Sequence, residues 1–124
     1  MYLSQGYVLA VGLKDRCEHL SGLPVRICCV ETGFQALQQL RLKLPAVLIA
    51  LWDLPDMPKG ALFRRVLAGA VCVKTVTLVE FGDTASEIAA RSLGVTVVLD
   101  DSIDEQTLGE LLCQLSATRV ATGT

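Results

Sequence analysis

The sequence predicts an α/β domain with a five-stranded parallel sheet covered by helices on both faces, and three observations carry that prediction. The longest apolar run, Leu44 to Trp52, is broken only by Pro45 and shows no polar alternation. That pattern belongs to a strand buried on both faces, as in the middle of a parallel sheet. Short strand-like runs alternate with helical patterns along the whole chain, which implies parallel pairing through right-handed crossovers. The 124 residues hold five such units with short connections, too few for a closed eight-stranded barrel.

Tyr7 to Val11 is the first expected strand, ended by Gly12, and the N-terminus from Met1 lacks the basic start of a signal peptide. Leu13 to Leu20 is a short helical pattern stopped by Ser21, Gly22 and Pro24. Val25 to Val30 is the second strand. Glu31 or Thr32 caps a helix over Phe34 to Lys43, in which Phe34, Leu37, Leu40 and Leu44 fall at helical spacing. The central strand, Ala46 to Trp52, starts after Pro45, which lacks a ladder N–H, and runs into Asp53, Pro55, Asp56, Pro58 and Gly60, the chemistry of a turn. A third helix spans Ala61 to Leu67 and closes at Ala68-Gly69; a fourth strand spans Thr75 to Val79. Asp83 or Thr84 caps the helix Thr84 to Leu93, whose Glu87 and Arg91 suit the helix dipole and whose stop is Gly94. Val95 to Leu99 is the last strand and Ile103 to Leu115 the last helix. The count favours a doubly wound, flavodoxin-like sheet of order 2-1-3-4-5. One domain over residues 1–115 is expected, with 116–124 as a linker-like or disordered tail.

With 52% apolar and 19% charged residues the chain is not of the disordered class. A net charge of −2 makes no electrostatic case for nucleic acid or an anionic membrane, and no apolar run reaches the ~18 residues of a spanning helix. The expected location is the cytoplasm. Cys17, Cys28, Cys29, Cys72 and Cys113 are odd in number and form no CxxC pair. They read as small apolar core residues in a reducing compartment, with a redox or metal role as the alternative. Cys28 and Cys29, being adjacent in a strand, face opposite sides. The lone His19 reads as a surface residue.

In a parallel sheet a site lies beyond the carboxyl ends of the strands, here near Leu51 to Met57. No nucleophile elbow, HExxH or phosphate loop occurs, so no enzymatic activity and no cofactor are expected. Three pieces carry a resemblance. Glu31 to Leu37, Pro45 to Gly60 and Gly94 to Leu108 together resemble the receiver domain of two-component response regulators (the CheY-like family), over Tyr7 to Leu115. The resemblance implies a phosphoacceptor aspartate four residues before the loop proline. Counted back from Pro55, that position is Leu51. The family's magnesium-binding acidic pair falls near Gly12 and Leu13, its hydroxyl residue on Val79, its lysine on Asp101 and the following proline on Ser102. All of these depart from the pattern, so the chain resembles a degenerate pseudo-receiver with no phosphoacceptor, metal or catalytic residue.

A receiver without its chemistry keeps its scaffold and output face, which implies phosphorylation-independent binding of a protein partner: a kinase, an effector domain or a second copy. The expected face is Ala85, Ala89, Ala90, Leu93, Ile103 and Leu108. The alternative is a small-ligand sensor with a pocket near Leu13, Leu51 and Trp52. Asp53, Glu80 and Asp101 read as solvated loop acids, or as a cation site, with Asp53 as a displaced phosphoacceptor. Trp52 reads as a packing residue at the strand end, or as a partner anchor.

Overall fold

The computed structural model of the chain describes residues 7–20, 22–69 and 73–122. The residues before Tyr7, Ser21 of the expected first helix stop, Cys72, and Gly123 and Thr124 of the expected tail lie outside them. The elements are β1 (Tyr7–Val11), α1 (Asp15–Leu20), β2 (Arg26–Val30), α2 (Gly33–Leu42), β3 (Val47–Leu51), α3 (Ala61–Ala68), β4 (Lys74–Val79), α4 (Thr84–Leu93), β5 (Val97–Asp100) and α5 (Glu105–Thr122). All strand pairs are parallel, in the order β2-β1-β3-β4-β5, as expected.

Two core layers flank the sheet. On one face Leu9, Val11, Leu48 and Ala50 pack with Ala36 of α2, Leu62, Phe63 and Val66 of α3, and Ala90 of α4. On the other, Val8, Ala10, Val47, Ile49, Val76 and Leu78 pack with Leu20 of α1 and Leu108 and Leu112 of α5. Val47, Leu48, Ile49 and Ala50 are fully buried, which is why β3 reads as an unbroken apolar run.

The caps follow the sequence. Thr32 and Gln35 form a reciprocal capping box on α2, the carboxylate of Asp83 accepts the Ser86 N–H on α4, and Gly94 ends α4 in the left-handed region. Most element boundaries shift by a residue or two, and those of β5 and α5 have a visible cause. β5 starts at Val97, because at Thr96 the ladder is replaced by side chains: Thr75 N–H donates to Thr96 Oγ1 and Thr96 N–H to Thr75 Oγ1. α5 starts later, where the Asp104 carboxylate accepts the Thr107 N–H, and it runs on to Thr122 through a stretch expected to be a tail. No Pro or Gly interrupts residues 116–122, so nothing there removes a helical hydrogen bond. No helix among the described residues is long and apolar enough to cross a membrane.

Trp52 is a core residue, not an exposed anchor. It is 5% exposed, and its ring stacks on Phe63 at 6.0 Å between centroids. Gly60 closes the β3–α3 loop beneath it. Its N–H donates to the Trp52 carbonyl at 2.9 Å, its φ is +77°, and a Cβ there would lie 2.5 Å from the indole.

The cysteines correct one expectation. Cys17 of α1 and Cys29 of β2 are joined in a disulfide with Cα atoms 6.5 Å apart, so they are not free core thiols. Cys28, one residue away, packs with the opposite core layer, and Cys113 is free. Alternation along β2 sets which cysteine of the adjacent pair meets α1. His19 is exposed.

Gly60→Ala should destabilise the domain by about 2–4 kcal/mol, from left-handed strain added to overpacking against Trp52. Urea unfolding measures it, and a loss under ~1 kcal/mol would contradict the close packing at Gly60. Cys29→Ser should cost about 2–3 kcal/mol under non-reducing conditions, and dithiothreitol should bring the unsubstituted chain to the same stability.

Candidate functional site

The carboxyl ends of β3, β4 and β5 open on a cavity of about 260 Å³. Leu51, Trp52, Leu78 and Val79 supply its apolar wall; Asp53, Lys59, Glu80, Asp83 and Asp101 supply its charge. Leu51 ends β3 half-buried and touches both core layers, so the position that the resemblance assigns to the phosphoacceptor is a packing position.

The carboxylates do not converge. Asp83 is held by its own helix: Ser86 donates to it from its hydroxyl at 2.7 Å and its backbone N–H at 3.1 Å, and Lys59 Nζ approaches to 3.8 Å. The Ser86 hydroxyl, then its N–H, and the Lys59 charge keep the Asp83 carboxyl below its ordinary pKa. Asp101 accepts the Phe81 N–H at 3.1 Å. Among the described residues no three His, Cys, Asp or Glu side chains come together to hold a metal ion. Asp53, Glu80 and Asp101 border one cavity as exposed acids.

Of the residues expected to border a ligand pocket, Leu51 and Trp52 line this cavity and Leu13 does not. Gly12 has φ +76°, and a Cβ there would lie 2.9 Å from Leu54 and 3.4 Å from Leu51. Leu54 therefore packs directly over Gly12 at the end of β1. Leu13 is buried in the layer shared with α1 and α5 and does not line the cavity that Leu51 and Trp52 border.

Two polar fasteners shape this edge, and neither was legible in the sequence. The Arg16 guanidinium on α1 donates to the carbonyls of Ile103 at 2.8 Å and Asp101 at 2.6 Å, and pairs with Glu105 at 3.0 Å, so it clamps the β5–α5 loop. In the β3–α3 loop the Asp56 carboxylate accepts the N–H groups of Gly33 at 2.9 Å and Phe34 at 3.0 Å, capping α2 from another element. Burial pushes Asp56 up, but those two N–H groups outweigh it and hold the carboxyl below its ordinary range. Both contacts join residues far apart in the chain, which no local pattern announces.

The expected interaction face changes in composition. Ala85 and Ala89 are exposed on α4, but Ala90 and Leu108 are fully buried and belong to opposite core layers. Leu93 and Ile103 are half-buried against those layers. The large apolar groups at the surface there are Phe81, 73% exposed, and Ile88, 59% exposed. Ala85 and Ile88 lie one turn apart on α4, and Phe81 stands in the turn that precedes the helix.

No family model matches the sequence, and no curated protein sequence does. Solved structures do. A signal receiver domain from Vibrio parahaemolyticus superposes with a TM-score of 0.84 at 18% identity, covering 97% of this chain and 96% of its own. The signal receiver domain of an HD domain-containing protein from Pseudomonas fluorescens gives 0.82 at 21% identity, covering 98% and 95%. A CheY-like response regulator receiver domain protein from Methanospirillum hungatei gives 0.82 at 14% identity, covering 96% and 99%. At these identities the likeness establishes the fold, the flavodoxin-like architecture of receiver domains.

Asp83, Asp100 and Asp104 are held down mainly by hydrogen bonds from Ser86, Ser102 and Thr107, and Asp56 by two backbone N–H groups against its burial. A depressed folded-state pKa contributes stability above the unfolded value of 3.8, lost as pH falls through the folded value. The urea midpoint should thus hold steady from neutral pH to about pH 5 and drop below 3.8. Asp56→Asn should shrink that acid-side drop, and an unchanged acid limb would remove Asp56 from the account.

Proposed function

We propose that this chain is a pseudo-receiver of two-component-type signal transduction in the cytoplasm. In this reading it carries no phosphoryl group and acts by binding another protein through the surface around α4. The observation that carries the proposal is Leu51, the position matched to the family's phosphoacceptor, which is an apolar packing residue at the end of β3.

The electrostatics support it. A phosphoryl group adds about −1.5 to −2 charges. The edge already holds Asp53, Glu80, Asp83 and Asp101 against one lysine, Lys59, whose ammonium faces Asp83. Asp101 stands where the resemblance implies a lysine, which turns an attraction into a repulsion. At about 4 Å and an effective dielectric near 20, one such pair is worth of order 4 kcal/mol. Magnesium, which needs hard oxygen ligands, has no matched carboxylate at Gly12, Leu13 or Leu51.

What such a domain keeps is a rigid scaffold and a surface. Phe81, Ala85, Ile88 and Ala89 present large apolar groups beside small ones that allow close approach, and Arg16 holds the neighbouring β5–α5 loop in place. A kinase, an effector domain or a second copy fits this surface. The ligand-sensing alternative would use the same cavity, which Leu51 and Trp52 line and Leu13 does not.

Intact mass after incubation with magnesium and acetyl phosphate should show no added phosphoryl group. A gain that disappears in Asp53→Asn would replace this reading with a working receiver whose site has moved. If copies associate through the α4 surface, Ile88→Asp should raise the monomer fraction in sedimentation while leaving unfolding within ~0.5 kcal/mol. An association unaffected by Ile88→Asp and Phe81→Asp would put the contact elsewhere.

A further inference from the structure

A second surface lies away from α4, between α2 and α3. The C-terminal halves of these helices leave a groove of about 490 Å³ whose walls include Leu37, Leu40, Leu44 and Val66. Leu44 is 50% exposed, and Phe34 continues its stripe one turn before Leu37 at 57%. Arg41 and Arg65 line the groove, one from each helix. Both are exposed, and among the described residues no carboxylate forms an ion pair with either. α2 and α3 carry Arg41, Arg64 and Arg65 and no acidic residue, although the chain as a whole is net −2.

We infer that this groove docks an acidic amphipathic helix of a partner protein, with apolar side chains between α2 and α3 and its carboxylates on Arg41 and Arg65. The mode is helix-in-groove recognition, in which anchors at i, i+3, i+4 and i+7 enter an apolar channel. Charge selects the occupant. A second copy meeting this face by two-fold symmetry would set the arginine pairs against each other with no carboxylate to separate them. A bilayer is flat where this surface is concave, and nucleic acid asks for a broad cationic track where the lining is apolar. Acidic residues flanking apolar anchors satisfy both the arginines and the groove.

The test uses the full chain, labelled with 15N, and a synthetic amphipathic peptide of about 18 residues with leucines at the anchor positions and glutamates on the flanks. The expected result is a set of amide shifts confined to α2, α3 and the residues joining α2 to β3. Changing the flanking glutamates to lysine, or making Arg41→Glu with Arg65→Glu in the protein, should raise Kd at least tenfold. Leu44→Asp tests the apolar half and should weaken binding comparably, with circular dichroism confirming that each variant folds. Shifts centred on α4, equal affinity for the lysine peptide, or no binding at millimolar peptide would each overturn the inference. So would co-sedimentation with phosphatidylserine vesicles, or self-association abolished by Leu44→Asp, because each assigns the groove a different occupant.

Discussion

Burial of β3 on both faces is the constraint on which the rest of the structure depends. Val47, Leu48, Ile49 and Ala50 expose nothing to water, so each face of the sheet must carry its own helical layer. Burying a Val, Leu or Ile side chain is worth about 1.5–3 kcal/mol, so the strand is stable only when both layers are present. That requirement puts α2, α3 and α4 on one side and α1 and α5 on the other, and it leaves the strand ends as the place where the chain must turn.

The turn after β3 shows how the core reaches into the site. Trp52 lies flat against Phe63 and excludes any side chain at Gly60, while Leu54 folds back over Gly12 and excludes any there. The same apolar packing that holds the loop also covers Gly12 at the end of β1. What remains at this edge is a cavity shifted toward β4 and β5, bordered by separate exposed acids and by Leu51.

The helix surfaces divide by charge. α2 and α3 have arginines and no acids, whereas α5 begins and continues with Glu105 and Glu110. The polar fasteners carry the opposite charge to the helix they hold. Asp56 ties the β3–α3 loop to the start of α2, and Arg16 ties α1 to the β5–α5 loop. Each fastener crosses between elements, so helices that share few backbone contacts keep a defined relation to the sheet.

The sequence alone determined the element order, the parallel sheet and the helix stop at Gly94, and narrowed the caps to Glu31 or Thr32 and to Asp83 or Thr84, because periodicity and capping are local properties of a chain. Counting back from Pro55 also matched Leu51 to the resemblance's phosphoacceptor position, while the observed β3 ends at Leu51 rather than at the expected Trp52. Tertiary structure decided what lies between distant residues. It paired Cys17 with Cys29, aimed Arg16 at Asp101 and Ile103, and set Leu54 against Gly12. It also moved Ala90 and Leu108 from the expected surface into the core and left Phe81 and Ile88 outside. The physical reason is that a helix has one buried stripe, and which of its apolar residues occupy that stripe depends on how the helix is rotated against the sheet. Small and large apolar residues look alike to a periodic pattern, and only the packed layer sorts them.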